Sequence, residues 1–184
     1  MNALFAAAAE IQNYLRSAGE QFCFIGGVAL QRWGEPRFTR DVDLTLLCPY
    51  GEESPAVERL LAIFSPRIPD AREFALQHRV LLLRGTSGIP IDIAFGGIPF
   101  EDRAVARASE FDFGEIRLLT CSAEDLVVFK AFAGRERDWA DIESIAIRQS
   151  RCMDWTLIYQ ELAPLAELRD SADTMKRLQR LQVS

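Results

Sequence analysis

Residues 41–47 read DVDLTLL, a strand-forming run in which Asp41 and Asp43 flank Val42. In an extended chain successive side chains alternate between faces, so both carboxylates share one face while Val42, Leu44 and Leu46 take the other. Two acids about 7 Å apart along a strand repel each other and resist burial, and an apolar fold tolerates them only where a cation neutralises them. Asp92 repeats the arrangement in Ile91-Asp92-Ile93, where both neighbours point to the opposite side. At an effective dielectric of about 20, each carboxylate pair about 5 Å apart costs about 3 kcal/mol. Asp41, Asp43 and Asp92 together imply a divalent ion, for which the two strands must be neighbours; the alternative is that Asp43 and Asp92 are exposed strand-edge acids with ordinary salt bridges. All-oxygen ligation without His or Cys suits Mg²⁺ or Mn²⁺ rather than zinc, and Mg²⁺ held by a few carboxylates commonly also binds substrate phosphates.

The rest of the chain can support such a site. Its 184 residues are 49% apolar and 26% charged, which excludes disorder and fits one domain or one domain with an extension. A net charge of −6, from 27 acids and 21 bases, argues against a general nucleic-acid coat and leaves room only for a local basic patch. The longest apolar run, Ala3–Ala9, is far short of the roughly 20 residues of a membrane span, and no basic residue precedes it. The expected location is the cytoplasm, with no membrane partner. Cys23, Cys48, Cys121 and Cys152 are scattered, with His78 the single histidine, so reduced cysteines are expected rather than a zinc site or a disulfide framework. His78, between Gln77 and Arg79, is expected to be solvated.

Leu4, Ala8, Ile11 and Leu15 repeat at helical spacing before Gly19. Phe22–Ile25 is a short strand ended by Gly26-Gly27, and Val28–Trp33 supplies one or two helical turns. After the loop GEPRFTR comes the Asp41–Leu47 strand, then a helix starting at Ser54-Pro55. Val80–Leu83 and Ile89–Phe95 form a hairpin around GTSG. Phe100–Thr120 is mixed, and Phe111, Phe113, Ile116 and Leu118 suggest short strands joined at Gly114. Beyond Thr120 the pattern is helical: Ser122 opens one helix that runs to Gly134, and Asp154 caps another. The expected fold is α/β (α+β), a small mixed-sheet core over residues 1–120 with a C-terminal helical region, 121–184, packed on it and the active site between them.

Gly26-Gly27 lies between a strand and a helix, where backbone N–H groups and the helix dipole cradle a phosphate; a plain tight turn is the alternative. Lys130 sits within the apolar stretch VVFKAF, and it and Lys176 are the only lysines among the 21 basic residues. It reads either as a phosphate-binding point charge or as a snorkelling surface lysine. Arg37 offers a guanidinium to a triphosphate or is a solvated loop charge.

Gly26-Gly27-Val28-Ala29-Leu30 followed by Pro36-Arg37-Phe38-Thr39-Arg40-Asp41-Val42-Asp43-Leu44 resembles the nucleotidyltransferase superfamily of the DNA polymerase β type, and more narrowly the AbiEii-like nucleotidyltransferases, whose toxin members act in toxin–antitoxin and phage-abortive systems. Ile91-Asp92-Ile93 is similar to the third-carboxylate strand of that group, and Asp125-Leu126 through Lys130, Arg137, Asp138 and Asp141 to its helical motif. The resemblance spans residues 22–147. It implies a small mixed-sheet nucleotidyltransferase core and Mg²⁺-dependent (or Mn²⁺-dependent) transfer of a nucleoside monophosphate from an NTP to an acceptor hydroxyl. Asp41, Asp43 and Asp92 are then the metal-binding and catalytic residues, Gly26, Gly27, Arg37 and Lys130 the nucleotide-binding ones, and Asp138 a substrate-side acid or base. The acceptor stays open among tRNA, a protein side chain and a small molecule such as an aminoglycoside; a cognate antitoxin is an implied partner. Two departures stand out. Many superfamily members carry Ser after the first Gly, where this chain has Gly27, and the spacing from the glycines to Asp41 is longer than in the small members that pair with a helical toxin. A catalytically weak nucleotide- or partner-binding protein on the same fold is the alternative.

Overall fold

The computed structural model describes residues 2–168 and 172–182. In chain order its elements are α1 (Ala3–Ser17), β1 (Phe22–Phe24), α2 (Gly26–Trp33), β2 (Val42–Leu47), α3 (Glu53–Leu61), β3 (Ser65–Pro66), α4 (Ala71–His78), β4 (Val80–Arg84), β5 (Pro90–Gly96), α5 (Pro99–Arg107), β6 (Ser109–Asp112), β7 (Arg117–Thr120), α6 (Ala123–Ala133), α7 (Glu136–Arg148), α8 (Trp155–Leu168) and α9 (Ala172–Gln182). They fall into two compact units, one of Met1–Val28 with Phe38–Cys121 and one of Ala29–Arg37 with Ser122–Ser184.

The first unit is built on a mixed sheet of seven strands in the order β3-β4-β5-β2-β1-β7-β6. The central pair β2–β5 and the pair β1–β7 are parallel; the other pairings are antiparallel. Alternation sends Val42, Leu44 and Leu46 of β2, Ile91, Ile93 and Phe95 of β5, and Leu81 and Leu83 of β4 into one apolar layer. Leu4, Ala8, Ile11 and Leu15 of α1 and Val57 and Leu60 of α3 join that layer. α1 forms where its spacing predicts, with Asn2 accepting from the Leu4 N–H at 3.1 Å at its start. Gly19, at φ +70°, follows its end in a conformation that suits glycine.

Two helices escape the apolar pattern. α4 buries only Ala71 and Ala75, and α5 only Phe100 and Ala104. Short alanine-bearing faces give no stripe, so the start of the mixed Phe100–Thr120 region carries no helix signal although residues 99–107 are helical, and the expected short strands form from Ser109 onward. From there β6 and β7 pair antiparallel around Gly114. His78 is exposed in the last turn of α4, its ring 4.5 Å from that of Phe74. Three of the cysteines are buried, Cys152 is exposed, and none of the four forms a disulfide among the described residues.

The second unit is helical. Ser122 caps α6 by accepting from the Asp125 N–H at 3.0 Å, and Gly134 ends it in the left-handed conformation at φ +70°. Leu126, Val127, Val128, Ile142, Ile145, Ile158 and Leu162 are fully buried. Trp139 is buried as an aromatic core residue should be, whereas Trp155 is only half-buried. The end of α2 and the loop after it belong to this unit: Gln149 donates to the Trp33 carbonyl at 3.0 Å, and Arg148 to that of Gly34 at 2.7 Å. Among the described residues no helix is long and apolar enough to cross a membrane.

Candidate functional site

Within the first unit the sheet register brings the carboxylates together. β2 and β5 pair in parallel with Asp43 directly opposite Asp92, and Asp41 lies just ahead of β2 on the same face. One carboxylate oxygen from each of Asp41, Asp43 and Asp92 lies within 4.8 Å of the others, and all three residues are half-buried. That spacing and the all-oxygen donor set fit a hard divalent cation.

The glycine pair makes room for this cluster. Gly26 has φ +52°, and a Cβ built there would lie 2.1 Å from Asp43 Oδ2, inside any allowed contact. At Gly27 a Cβ would lie 2.2 Å from Thr39 Oγ1. The Thr39 hydroxyl in turn donates to Asp41 Oδ1 at 3.1 Å, and the Gly27 N–H points at Asp43 Oδ2 at 3.5 Å. The Gly27 N–H in the first turn of α2 thus faces a carboxylate, as a helix N-terminus favours, and the Thr39–Asp41 hydrogen bond ties the loop ahead of β2 to the cluster. Thr39 lies in the loop ahead of β2, where no alternation marks it in the sequence.

Asp92 has a partner that the sequence pattern does not reveal. Arg67, just past β3, sets its Nη1 2.7 Å from Asp92 Oδ1 and its Nη2 3.1 Å from Oδ2. Only the second contact has hydrogen-bond geometry, so Oδ1 is buried without a hydrogen bond. Burial pushes the Asp92 carboxyl above the ordinary aspartate value and Asp41 adds to that, while Arg67 opposes both.

The second unit holds its own charged cluster. Lys130 is 5% exposed and therefore no surface lysine; its Nζ donates to Asp141 Oδ2 at 2.7 Å and reaches Asp138 Oδ1 at 3.5 Å. Arg37 binds Asp141 through two parallel bonds of 2.8 Å, and Arg135 donates to Asp138 at 2.7 Å. Burial alone would raise the Asp141 carboxyl, but hydrogen bonds from Arg37 and Lys130 outweigh it and hold the group below its ordinary value. Lys130, Asp138 and Arg37 are thus gathered around Asp141, which the helical motif contains but which alternation and charge counting do not single out.

This chain is similar to proteins of known structure. An antigenic nucleotidyltransferase-like protein from Paracoccidioides brasiliensis superposes with a TM-score of 0.55 at 17% identity, over 95% of this chain and 92% of its own. The antibiotic-resistance factor ANT(2'')-Ia gives a TM-score of 0.53 at 16% identity, over 95% of this chain and 93% of its own. The lincosamide antibiotic adenylyltransferase LnuA, solved with lincomycin bound, gives 0.51 at 14% identity, over 76% of this chain and 94% of its own. At these identities the likeness establishes the fold. No curated protein matches the chain in sequence at a significant level. Residues 13–154, most of the chain and the span that carries the glycine pair, the three carboxylates and Lys130, match the family described as nucleotidyl transferase AbiEii toxin, type IV TA system. The chain belongs to that family, and it is a nucleotidyltransferase.

Proposed function

We propose that this protein transfers a nucleoside monophosphate from an NTP to an acceptor hydroxyl with Mg²⁺ or Mn²⁺ held by Asp41, Asp43 and Asp92. The observation that carries the reading is the meeting of three carboxylate oxygens within 4.8 Å on one sheet face, with Asp92 Oδ1 buried and without a hydrogen bond. When bound, the metal polarises the attacked phosphate and neutralises the departing pyrophosphate. Thr39 fixes one rotamer of Asp41 through its hydroxyl, and the missing Cβ at Gly26 lets Asp43 sit against the start of α2. The backbone N–H groups of Gly26 and Gly27 serve the phosphates of the nucleotide. Asp92 accepts the acceptor's hydroxyl proton. In the second unit Lys130 and Arg37 are the proposed phosphate-facing cations, held by Asp141, and Asp138 is the proposed substrate-side acid or base.

Membership of a type IV toxin family supports a toxin role with a cognate antitoxin as partner, acting in the cytoplasm where NTPs are made. The acceptor hydroxyl belongs to a tRNA, a protein or a small molecule, and one experiment sorts these. Radiolabelled NTPs are offered with Mg²⁺ to total RNA, a protein extract and an antibiotic panel, with Asp43→Asn as control. Label on one class, lost in the variant, supports the reading and names the acceptor. No label on any class, or equal label from the variant, overturns it.

A further inference from the structure

We propose that Arg67 is a latch on the third carboxylate: in the resting protein its guanidinium holds Asp92, and it must be drawn off before a divalent ion is shared by Asp41, Asp43 and Asp92. The inference rests on the metal reading above and adds an order of loading to it. Arg67 is anchored by its backbone, whose N–H donates to the Leu82 carbonyl at 2.9 Å, and Leu82 is the register partner of Asp92 across β4–β5. The side chain therefore starts one strand away from Asp92 and covers both of its oxygens, at 2.7 Å and 3.1 Å. Arg67 and Asp92 are 24% and 25% exposed, so the pair is poorly screened by solvent.

The contact is an ion pair at both oxygens but a hydrogen bond at only one, which leaves Oδ1 neutralised yet without a donor. Such an oxygen is available to a cation once the guanidinium leaves. A positive charge already in contact with Asp92 opposes the approach of a second, divalent one. A planar guanidinium binds phosphate as well as it binds carboxylate, so an incoming nucleoside triphosphate offers Arg67 an alternative partner. Metal affinity then becomes conditional on nucleotide, and Arg67 is a positioning residue that makes it so.

The test is a Mn²⁺ titration of the full chain, read by the free-ion electron paramagnetic resonance signal. It is run without nucleotide and with a saturating non-hydrolysable ATP analogue, corrected for the metal that the analogue holds alone. The parent is expected to bind Mn²⁺ at least about tenfold more tightly with the analogue than without it. Arg67→Met is expected to bind Mn²⁺ alone about tenfold or more tightly than the parent and to gain less from the analogue. Arg67→Gln, which keeps polarity and loses only the charge, should do the same and carries the test if the methionine variant misfolds. Affinity without nucleotide that equals or falls below the parent's overturns the latch, and a residue that merely orients Asp92 gives that result. A parent that binds no Mn²⁺ even with the analogue, or an Asp43→Asn variant that binds like the parent, overturns the metal reading and the latch with it. Normal nucleotide-dependent binding in the parent with unchanged Arg67 variants overturns the latch alone.

Discussion

Asp43 and Asp92 are direct register partners across the parallel pair β2–β5, each flanked by apolar residues that point to the opposite face of the sheet. Two like charges facing each other at the centre of a sheet are destabilising unless something neutralises them. Arg67 supplies part of that neutralisation at Asp92. The remaining repulsion gives the cluster measurable properties.

Asp43→Asn should remove a repelling charge and leave the metal-free protein as stable as the parent or more so, while abolishing transfer. In the parent, Mg²⁺ with NTP at about a hundred times its dissociation constant should add about 2.7 kcal/mol of stability. For a chain of this size that is a rise of roughly 5–10 °C in melting temperature. The variant should show no such rise in a thermal melt. A variant that unfolds outright would make Asp43 structural instead.

Gly26→Ala should damage the site more than the fold. A Cβ at φ +52° costs about 1–2 kcal/mol in backbone strain. The same Cβ would overlap Asp43 Oδ2 at 2.1 Å and force that side chain away. The expected outcome is a modest drop in melting temperature with a loss of transfer of about a hundredfold or more, that is, at least about 2.7 kcal/mol of transition-state stabilisation. Parent-like turnover in a folded Gly26→Ala protein would show that the present position of Asp43 is not needed.

Lys130→Met should be costly to stability as well as to nucleotide binding. Lys130 is buried against Asp141 and Asp138, and breaking a buried pair costs about 3–5 kcal/mol. Arg37 still holds Asp141, so a loss nearer about 2–3 kcal/mol in denaturant unfolding is expected. Lys130→Arg should recover only part of it, because a planar fork does not replace a point donor between two acids. An unchanged unfolding free energy for Lys130→Met would mean that these ion pairs contribute nothing to the fold.

Asp141 and Asp92 give opposite pH signatures in metal-free protein. Asp141 is held below the ordinary value of 3.8, so its contribution is complete above that pH and is lost as the pH falls through its lower folded value. Asp141→Asn should flatten the acid limb of the stability curve below about pH 4. Asp92 is raised above 3.8, so it takes up a proton on folding and its contribution grows as the pH falls toward 3.8. Asp92→Asn should remove that rise. Unfolding measured across the acid range in chelator tests both, and identical curves for parent and variants would refute the assignments.

Much of the site is legible in the sequence because Asp43 and Asp92 ride on strands whose apolar alternation fixes their face, with Asp41 just ahead of one of them. The same logic makes the N-terminal helix, the β4–β5 hairpin and the caps of α6 at Ser122 and Gly134 readable. Arg67 is not legible, since β3 is a two-residue strand with no period to read and its partner lies across another strand. Asp141 is hidden for a different reason: an acid in a charged helix looks solvated until the fold brings Lys130 and Arg37 to it. α4 and α5 are missed because two buried residues per helix, all but Phe100 of them alanine, carry too little hydrophobic contrast.

The register of β2 against β5 has a consequence for how the chain folds. A shift of one residue would turn Asp43 or Asp92 toward Leu44, Ile91 and Ile93, and an ionised carboxylate in that apolar layer would cost several kcal/mol. The same acids that would hold a metal in the finished protein therefore act earlier as a proofreading key, rejecting misaligned pairings of two strands that must find each other across a long stretch of chain.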